Sequence, residues 1–172
     1  MDLLQFASSL SFNSANRAIL LNNVAIRALP TQDVHFYNFT LPGQGYPFDN
    51  LQLTSAWAGT SAYIVGKTKD NAWYLLITPF VMGWARSEFI AKVDEDFVVT
   101  WTERRRKGLA AIVRTNTPII DDKKNYCFSA YIGTVFPIVN NDETSITRIF
   151  GGLHHPITVT GKSLEEQYYF LF

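Results

Sequence analysis

Short apolar runs separated by clusters of Gly, Pro, Asn and Asp set the rhythm of this chain. Asn23-Val24-Ala25-Ile26-Arg27-Ala28-Leu29-Pro30 reads as a strand stopped by proline, which lacks the N–H that a further ladder bond needs. A long polar and aromatic loop follows, Thr31 to Tyr46, with a turn signal at Pro42-Gly43-Gln44-Gly45. Four β-branched or aromatic runs come next: Gln52–Trp57, Ser61–Lys67, Ala72–Ile77 and Met82–Ala85. Turns such as Ala58-Gly59-Thr60 and Lys69-Asp70-Asn71 punctuate them. Ser87–Val93 reads as one helical or 3₁₀ turn. Strands this close together leave no room for the crossover helices of a parallel sheet, so a small antiparallel barrel is expected.

The second half repeats the plan loosely. Phe97-Val98-Val99-Thr100-Trp101 reads as a strand, and Glu103–Gly108 is polar enough for a domain boundary. Further strands are expected at Ala110–Val113, Ile119-Ile120, Tyr126–Ile132, Thr134–Val139 and Ser145–Phe150. Asp121–Asn125 and Asn140–Glu143 supply hairpin-type turns. Residues 3–21 form either a short helix or an extended lead-in strand. Ser163–Phe172 is expected as a short helix, with Ser163 as cap and Glu165 and Glu166 in its first turn. The expected fold is all-β: an N-terminal arm over 1–20, one barrel over 21–103, a second over 104–160 and a tail over 161–172.

Composition fits this picture and narrows the function. The 172 residues are 47% hydrophobic and 17% charged, which provides for a core and argues against wholesale disorder. Aromatics reach 15%, a bulk that small β domains need to fill their cores, and part of it can line a groove instead. Acidic and basic residues balance at 15 each, so the overall charge gives no support for nucleic-acid binding. The run Arg104-Arg105-Arg106-Lys107 is read as a solvated linker or edge. The single cysteine, Cys127, excludes an internal disulfide and fits either cytosol or a secreted protein without disulfides. No run reaches the roughly 18–20 apolar residues of a membrane span. The start, Met1-Asp2-Leu3-Leu4, lacks the basic region of a secretory signal.

One ordered series of motifs is specific. Gly45-Tyr46-Pro47-Phe48-Asp49-Asn50-Leu51-Gln52 is followed by Trp57-Ala58-Gly59-Thr60, by Lys69-Asp70-Asn71-Ala72-Trp73-Tyr74, and by Gly83-Trp84-Ala85. This order resembles the first bacterial SH3-like domain of the NlpC-family cell-wall cysteine peptidases. There a Pro-Phe-Asp-x-x-Gln loop, a Gly-Thr turn, an Asp-x-x-Trp strand and a Gly-Trp strand recur. Arg27-Ala28-Leu29-Pro30-Thr31 is similar to that domain's opening strand, and 111–137, with Tyr131-Ile132-Gly133-Thr134-Val135-Phe136-Pro137, is similar to the family's second SH3-like domain. The resemblance covers residues 20–140. It implies two SH3-like barrels that bind or orient peptidoglycan, chiefly its peptide stems, beside a peptidase domain in the cell envelope or outside the cell. Tyr37, Tyr46 and Phe48 would then form an aromatic wall on the loop from Phe36 to Gln52. Asp49, Gln52, Trp73 and Trp84 complete the candidate ligand set. Asp49 beside Gln52 is placed to close the loop onto backbone N–H groups, and Asp49, Trp73 and Trp84 either hold the fold or touch ligand.

Catalytic chemistry is not expected from this chain. The family's peptidase domain opens near Tyr-Gly-Trp-Gly-Gly and carries its nucleophile in Asp-Cys-Ser, and neither motif occurs. Cys127 lies in Asn125-Tyr126-Cys127-Phe128, inside an expected strand, and reads as a small core residue rather than an activated thiol. His154-His155-Pro156 and His35 lack metal-ligand spacing and are read as loop or surface residues. Asp94-Glu95-Asp96 is read as a solvated turn, since a glycosidase pair must face a cleft from separate elements. No cofactor or metal is expected. The alternatives are a free-standing SH3-like module for a partner or host peptide, and a fragment whose activity lies in a domain beyond Phe172.

Overall fold

Alternation along the first strands decides which side of the sheet becomes the core. In the computed structural model, which describes residues 4–6, 12–121, 124–140, 143–150 and 153–159, Val24–Arg27 forms strand β3, with Val24 and Ile26 directed to one side. Around it lie β1 (Leu4–Phe6), β2 (Arg17–Leu20), β4 (Gln52–Ala56), β5 (Ser61–Thr68), β6 (Trp73–Ile77), β7 (Met82–Arg86) and β8 (Ile90–Lys92). They pair antiparallel in the order β4-β3-β7-β6-β5-β2-β8, and β1 also pairs with β5. Ala18, Leu20, Ala56, Ile64, Leu76, Ala85 and Ile90 join Val24 and Ile26 in one core. Ile26 and Leu76 are fully buried, each worth about 1.5–3 kcal/mol of transfer free energy.

Drawing one core from every strand between β2 and β8 requires the sheet to curl. The curl stops short of the closed barrel expected from the sequence. Closure requires each strand to pair on both sides. The two end strands, β4 with five residues and β8 with three, each pair on one side among the described residues. Of the two forms expected for residues 3–21, a helix or an extended strand, Arg17–Leu20 takes the extended one. Arg17–Leu20 is an integral strand between β5 and β8, and Ala18, Ile19 and Leu20 are buried. Ser87–Val93 divides into a 3₁₀ turn at Ser87–Phe89 and strand β8.

The largest departure is at Phe97–Trp101. Instead of a strand, Glu95–Lys107 is the helix α1. Asp94 caps it by accepting a 2.8 Å bond from the Phe97 N–H, Glu95 and Asp96 occupy its first turn, and Arg104 to Lys107 its last. Each end therefore carries the charge that complements the helix dipole, and Gly108 caps the C-terminus. Both the carboxylate cluster and the basic run are helix ends rather than a solvated turn and a linker.

Beyond α1, β9 (Leu109–Ala111), β10 (Thr117–Asp121), β11 (Tyr126–Ala130), β12 (Val135–Asn140), β13 (Glu143–Phe150) and β14 (Leu153–Val159) form a second antiparallel sheet in the order β11-β10-β14-β13-β12-β9. Its ladder is also open. Its core gathers Ile112, Ile119, Phe128, Ala130 and Phe136, with Cys127 half-buried against it. His154, His155 and Pro156 belong to β14 rather than to a loop. Pro156 is the register partner of Thr147 of β13, and β14 pairs with β10 from Ile157 onward. The expected helix at Ser163–Phe172 lies outside the described residues.

The two halves meet in a seam. Ala58, from the β4–β5 turn, is part of the second core. Asn23 Nδ2 donates to the Ser129 carbonyl at 2.9 Å, and the Trp57 and Tyr131 rings stand edge to face at 5.9 Å. Phe97 of α1 packs on Ile19 of the first sheet, and Trp101, one turn on, touches both that pair and the second core.

Candidate binding surface

The segment between β3 and β4 has no regular ladder, so its backbone groups need other partners. It folds back on itself. Tyr37 N–H donates to the Gln44 carbonyl at 2.8 Å, Asn50 N–H to His35 at 2.9 Å, and Ala28 N–H to Leu51 at 2.8 Å. The closest backbone approach is at Gly45, where a Cβ would stand 2.8 Å from the Phe39 Cα; only glycine fits without moving the loop.

Asp49 holds this fold-back in place. Its Oδ1 accepts from the backbone N–H of His35 and of Leu51, each at 3.0 Å, and its Oδ2 accepts from Arg27 Nη1 at 2.7 Å. Arg27 Nη2 donates to the Asp33 carbonyl at 2.6 Å. The His35 N–H is the chief reason the Asp49 carboxyl lies below its ordinary value; the Leu51 N–H and the guanidinium add to this, against a smaller opposing effect of burial. Arg27 was not foreseen as part of the site. The available signal was a charged residue inside an otherwise apolar strand, which calls for a buried partner.

The seven candidate residues fall into four sets. Tyr37, Tyr46 and Phe48 stand outward, 60%, 85% and 55% exposed. Tyr46 meets Phe36 edge to face at 6.0 Å, and Tyr37 meets His35 at 5.2 Å. Phe39 and Val34 add to this exposed apolar surface. Asp49 sits beneath as the anchor. Gln52 is exposed on β4, where its Nε2 donates to Ser55 Oγ at 3.2 Å rather than to the loop.

Trp73 and Trp84 form the fourth set, each 6% exposed. Both alternate with core-facing neighbours, Tyr74 and Ala85, and so lie on the sheet's other face. Trp73 pairs with Arg86, whose guanidinium lies 5.6 Å from the indole, and Trp84 lies between Leu75 and Arg27 in the ladder. Gly83 lets these strands approach: a Cβ there would meet Ile26 Cγ2 at 2.6 Å and the Arg27 carbonyl at 2.9 Å. Among the described residues no group of His, Cys, Asp and Glu is placed to hold a metal ion, and no helix is long and apolar enough to cross a membrane.

An outward aromatic loop pinned to a curled sheet belongs to a recognisable class. Residues 35–86 match the SH3 domain of SH3b1 type, and residues 94–143 match the SH3 domain of SH3b2 type. The chain therefore carries two tandem bacterial SH3 domains. A solved NlpC/P60 endopeptidase from Photobacterium damselae subsp. piscicida is similar over 87% of this chain, with 33% identity and a TM-score of 0.70. The match spans 32% of that endopeptidase, so the chain corresponds to about a third of its length. No curated protein matches.

Proposed function

We propose that the chain is a non-catalytic module that binds peptidoglycan, or positions it for a peptidase domain, at the cell envelope or outside the cell. The observation that carries this reading is the exposed aromatic surface of Tyr37, Tyr46 and Phe48 on an SH3b1-type domain, held rigid by Arg27 and Asp49. Solvent-facing rings on a pinned backbone suit a ligand, because less ordering cost is met on binding than on a mobile loop. The similarity to part of an endopeptidase supports the wall as that ligand, with the peptide stems as its chief contact.

The test is co-sedimentation of the purified chain with intact peptidoglycan sacculi. Saturable binding that Tyr46→Ala or Phe48→Ala weakens, with unchanged melting curves, is the expected result. Full binding by both variants removes the loop from the site.

One feature favours a second reading, a free-standing module for partner peptides. Strand β4 pairs only with β3 among the described residues, leaving an edge beside exposed Leu53 that can accept an extended chain. Proline at Ser55 would abolish peptide capture under this reading and leave sacculus binding intact.

A further inference from the structure

The loop between β3 and β4 ends in a tip that lies beyond Tyr37, Tyr46 and Phe48. The bond from the Tyr37 N–H to the Gln44 carbonyl, 2.8 Å long, closes residues 38–43 off as a projection of their own. Phe39 is 85% exposed there, and Leu41, Pro42 and Gly43 are exposed beside it. The Phe39 Cα lies so near Gly45 that no Cβ fits between them, which fixes the backbone beneath the ring.

Two properties of the tip say what covers it. The first is charge. No Lys, Arg or Glu occurs between Arg27 and Lys67, and the two acids in that stretch, Asp33 and Asp49, lie outside the tip. Asp49 is held by Arg27, and Asp33 accepts from the Thr31 hydroxyl at 2.8 Å. A charged polymer has nothing to pair with at residues 38–43. The second is hydrogen bonding. The Leu41 N–H donates to the Asn38 carbonyl at 3.1 Å, the Gln44 N–H to the Leu41 carbonyl at 3.3 Å, and the Thr40 N–H and hydroxyl both to Asn38 Oδ1. Pro42 has no N–H to satisfy. A protein interface, which carries about one hydrogen bond per 100–200 Å², finds few partners on Phe39, Leu41 and Pro42. Hydrocarbon asks for none, and it favours backbone whose polar groups are satisfied internally.

We infer that Phe39, Leu41 and Pro42 insert into the interfacial layer of a lipid bilayer, and that uncharged headgroups suffice for binding. Tyr37 and Tyr46 flank the base of the tip, at the level where a phenol meets the headgroups. One such tip is a weak and reversible anchor, comparable to a single lipid chain. The inference stands apart from the wall reading, whose test residues are Tyr46 and Phe48.

Flotation of the whole chain with phosphatidylcholine vesicles tests this. The chain is expected to float with the vesicles equally well at about 0.1 M and about 1 M salt, because shortening the screening length from about 10 Å to about 3 Å does not weaken apolar contact. Phe39→Ser combined with Leu41→Ser is expected to cut partitioning at least about tenfold, with an unchanged melting curve, since both side chains are exposed. Phe39→Trp is expected to keep the binding, as indole favours the same layer. No flotation at high lipid, flotation lost in high salt, equal flotation of the double Ser variant or loss of binding in Phe39→Trp overturns the insertion. Sacculus binding by the unmodified chain, run in parallel, separates the two ideas. Sacculi bound without vesicles remove the insertion alone. Vesicles bound without sacculi remove the wall module alone.

Discussion

Arg27 and Asp49, 22 residues apart, form a 2.7 Å ion pair with only 8% and 13% of their side chains exposed. The pair ties the last residue of β3 to the far end of the loop. Arg27 Nε is buried without a partner among the described residues, so the guanidinium has little reserve if the carboxylate is lost. Asp49→Ala leaves a shielded cation and two unpaired N–H groups. A drop of several degrees in melting temperature is expected, together with faster amide exchange at His35 and Leu51. Asp49→Asn, which keeps an oxygen for those N–H groups, should retain their protection while still losing stability. Equal exchange in all three proteins would show that the loop does not depend on Asp49.

The same carboxylate gives a pH dependence of definite sign. Asp49, and Asp70 through the Thr68 hydroxyl and the Ala72 N–H, both lie below the ordinary value of 3.8. The unfolded chain takes up these protons at higher pH than the folded one, so stability rises with pH across the window. Their contribution is complete above 3.8 and is lost as pH falls through the depressed folded values. Melting temperature followed from about pH 5 down to about pH 2 should fall less steeply in Asp49→Asn than in the unmodified chain. Parallel acid limbs would remove Asp49 as a contributor.

Folding and binding should separate cleanly between Trp84 and Tyr46. Trp84 is buried between β3 and β6, and Trp84→Ala is expected to cost about 3–5 kcal/mol in denaturant unfolding. Tyr46 projects into solvent, and Tyr46→Ala should change stability by no more than about 0.5 kcal/mol. A large stability loss at Tyr46 would mean that the loop aromatics hold the fold rather than await a ligand.

Much of the first sheet was legible because its strands alternate and its turns carry Gly, Asp and Asn at the right places. The backbone-binding role of Asp49 was readable for a similar reason: a short carboxylate reaches N–H groups close in sequence. Helix α1 was not read, because Phe97-Val98-Val99-Thr100-Trp101 has strand composition, and tertiary packing of Phe97 and Trp101 overrides that propensity. Its caps were nonetheless visible in Asp94, the acids after it, the basic run and Gly108. The cleft beside the seam drew its walls from positions 57 to 137, and no local motif reports such a meeting.

Gly83 tests how tightly β7 lies on β3. A methyl group there would sit 2.6 Å from Ile26 Cγ2 and 2.9 Å from the Arg27 carbonyl, and the second contact is backbone that cannot swing away. Gly83→Ala should therefore cost about 1–3 kcal/mol by overpacking and weaken protection at Arg27 and Trp84. A variant of unchanged stability would mean that the two strands separate easily, contrary to the burial of Trp84.

Helix α1 is the element through which the halves should unfold together. Phe97 packs on Ile19 of the first sheet, while Trp101 reaches the second core. Loss of the Asp94 cap in Asp94→Ala frees the Phe97 N–H and should cost about 1 kcal/mol without changing the shape of the transition. Phe97→Ala removes the helix's hold on the first sheet and is expected to cost about 3–5 kcal/mol. In that variant calorimetry should resolve two transitions where the unmodified chain gives one, because the second core keeps Trp101 and Ala58 while the first loses its bridge. A single transition in Phe97→Ala would place the coupling in Asn23, Ala58 and Trp57 instead.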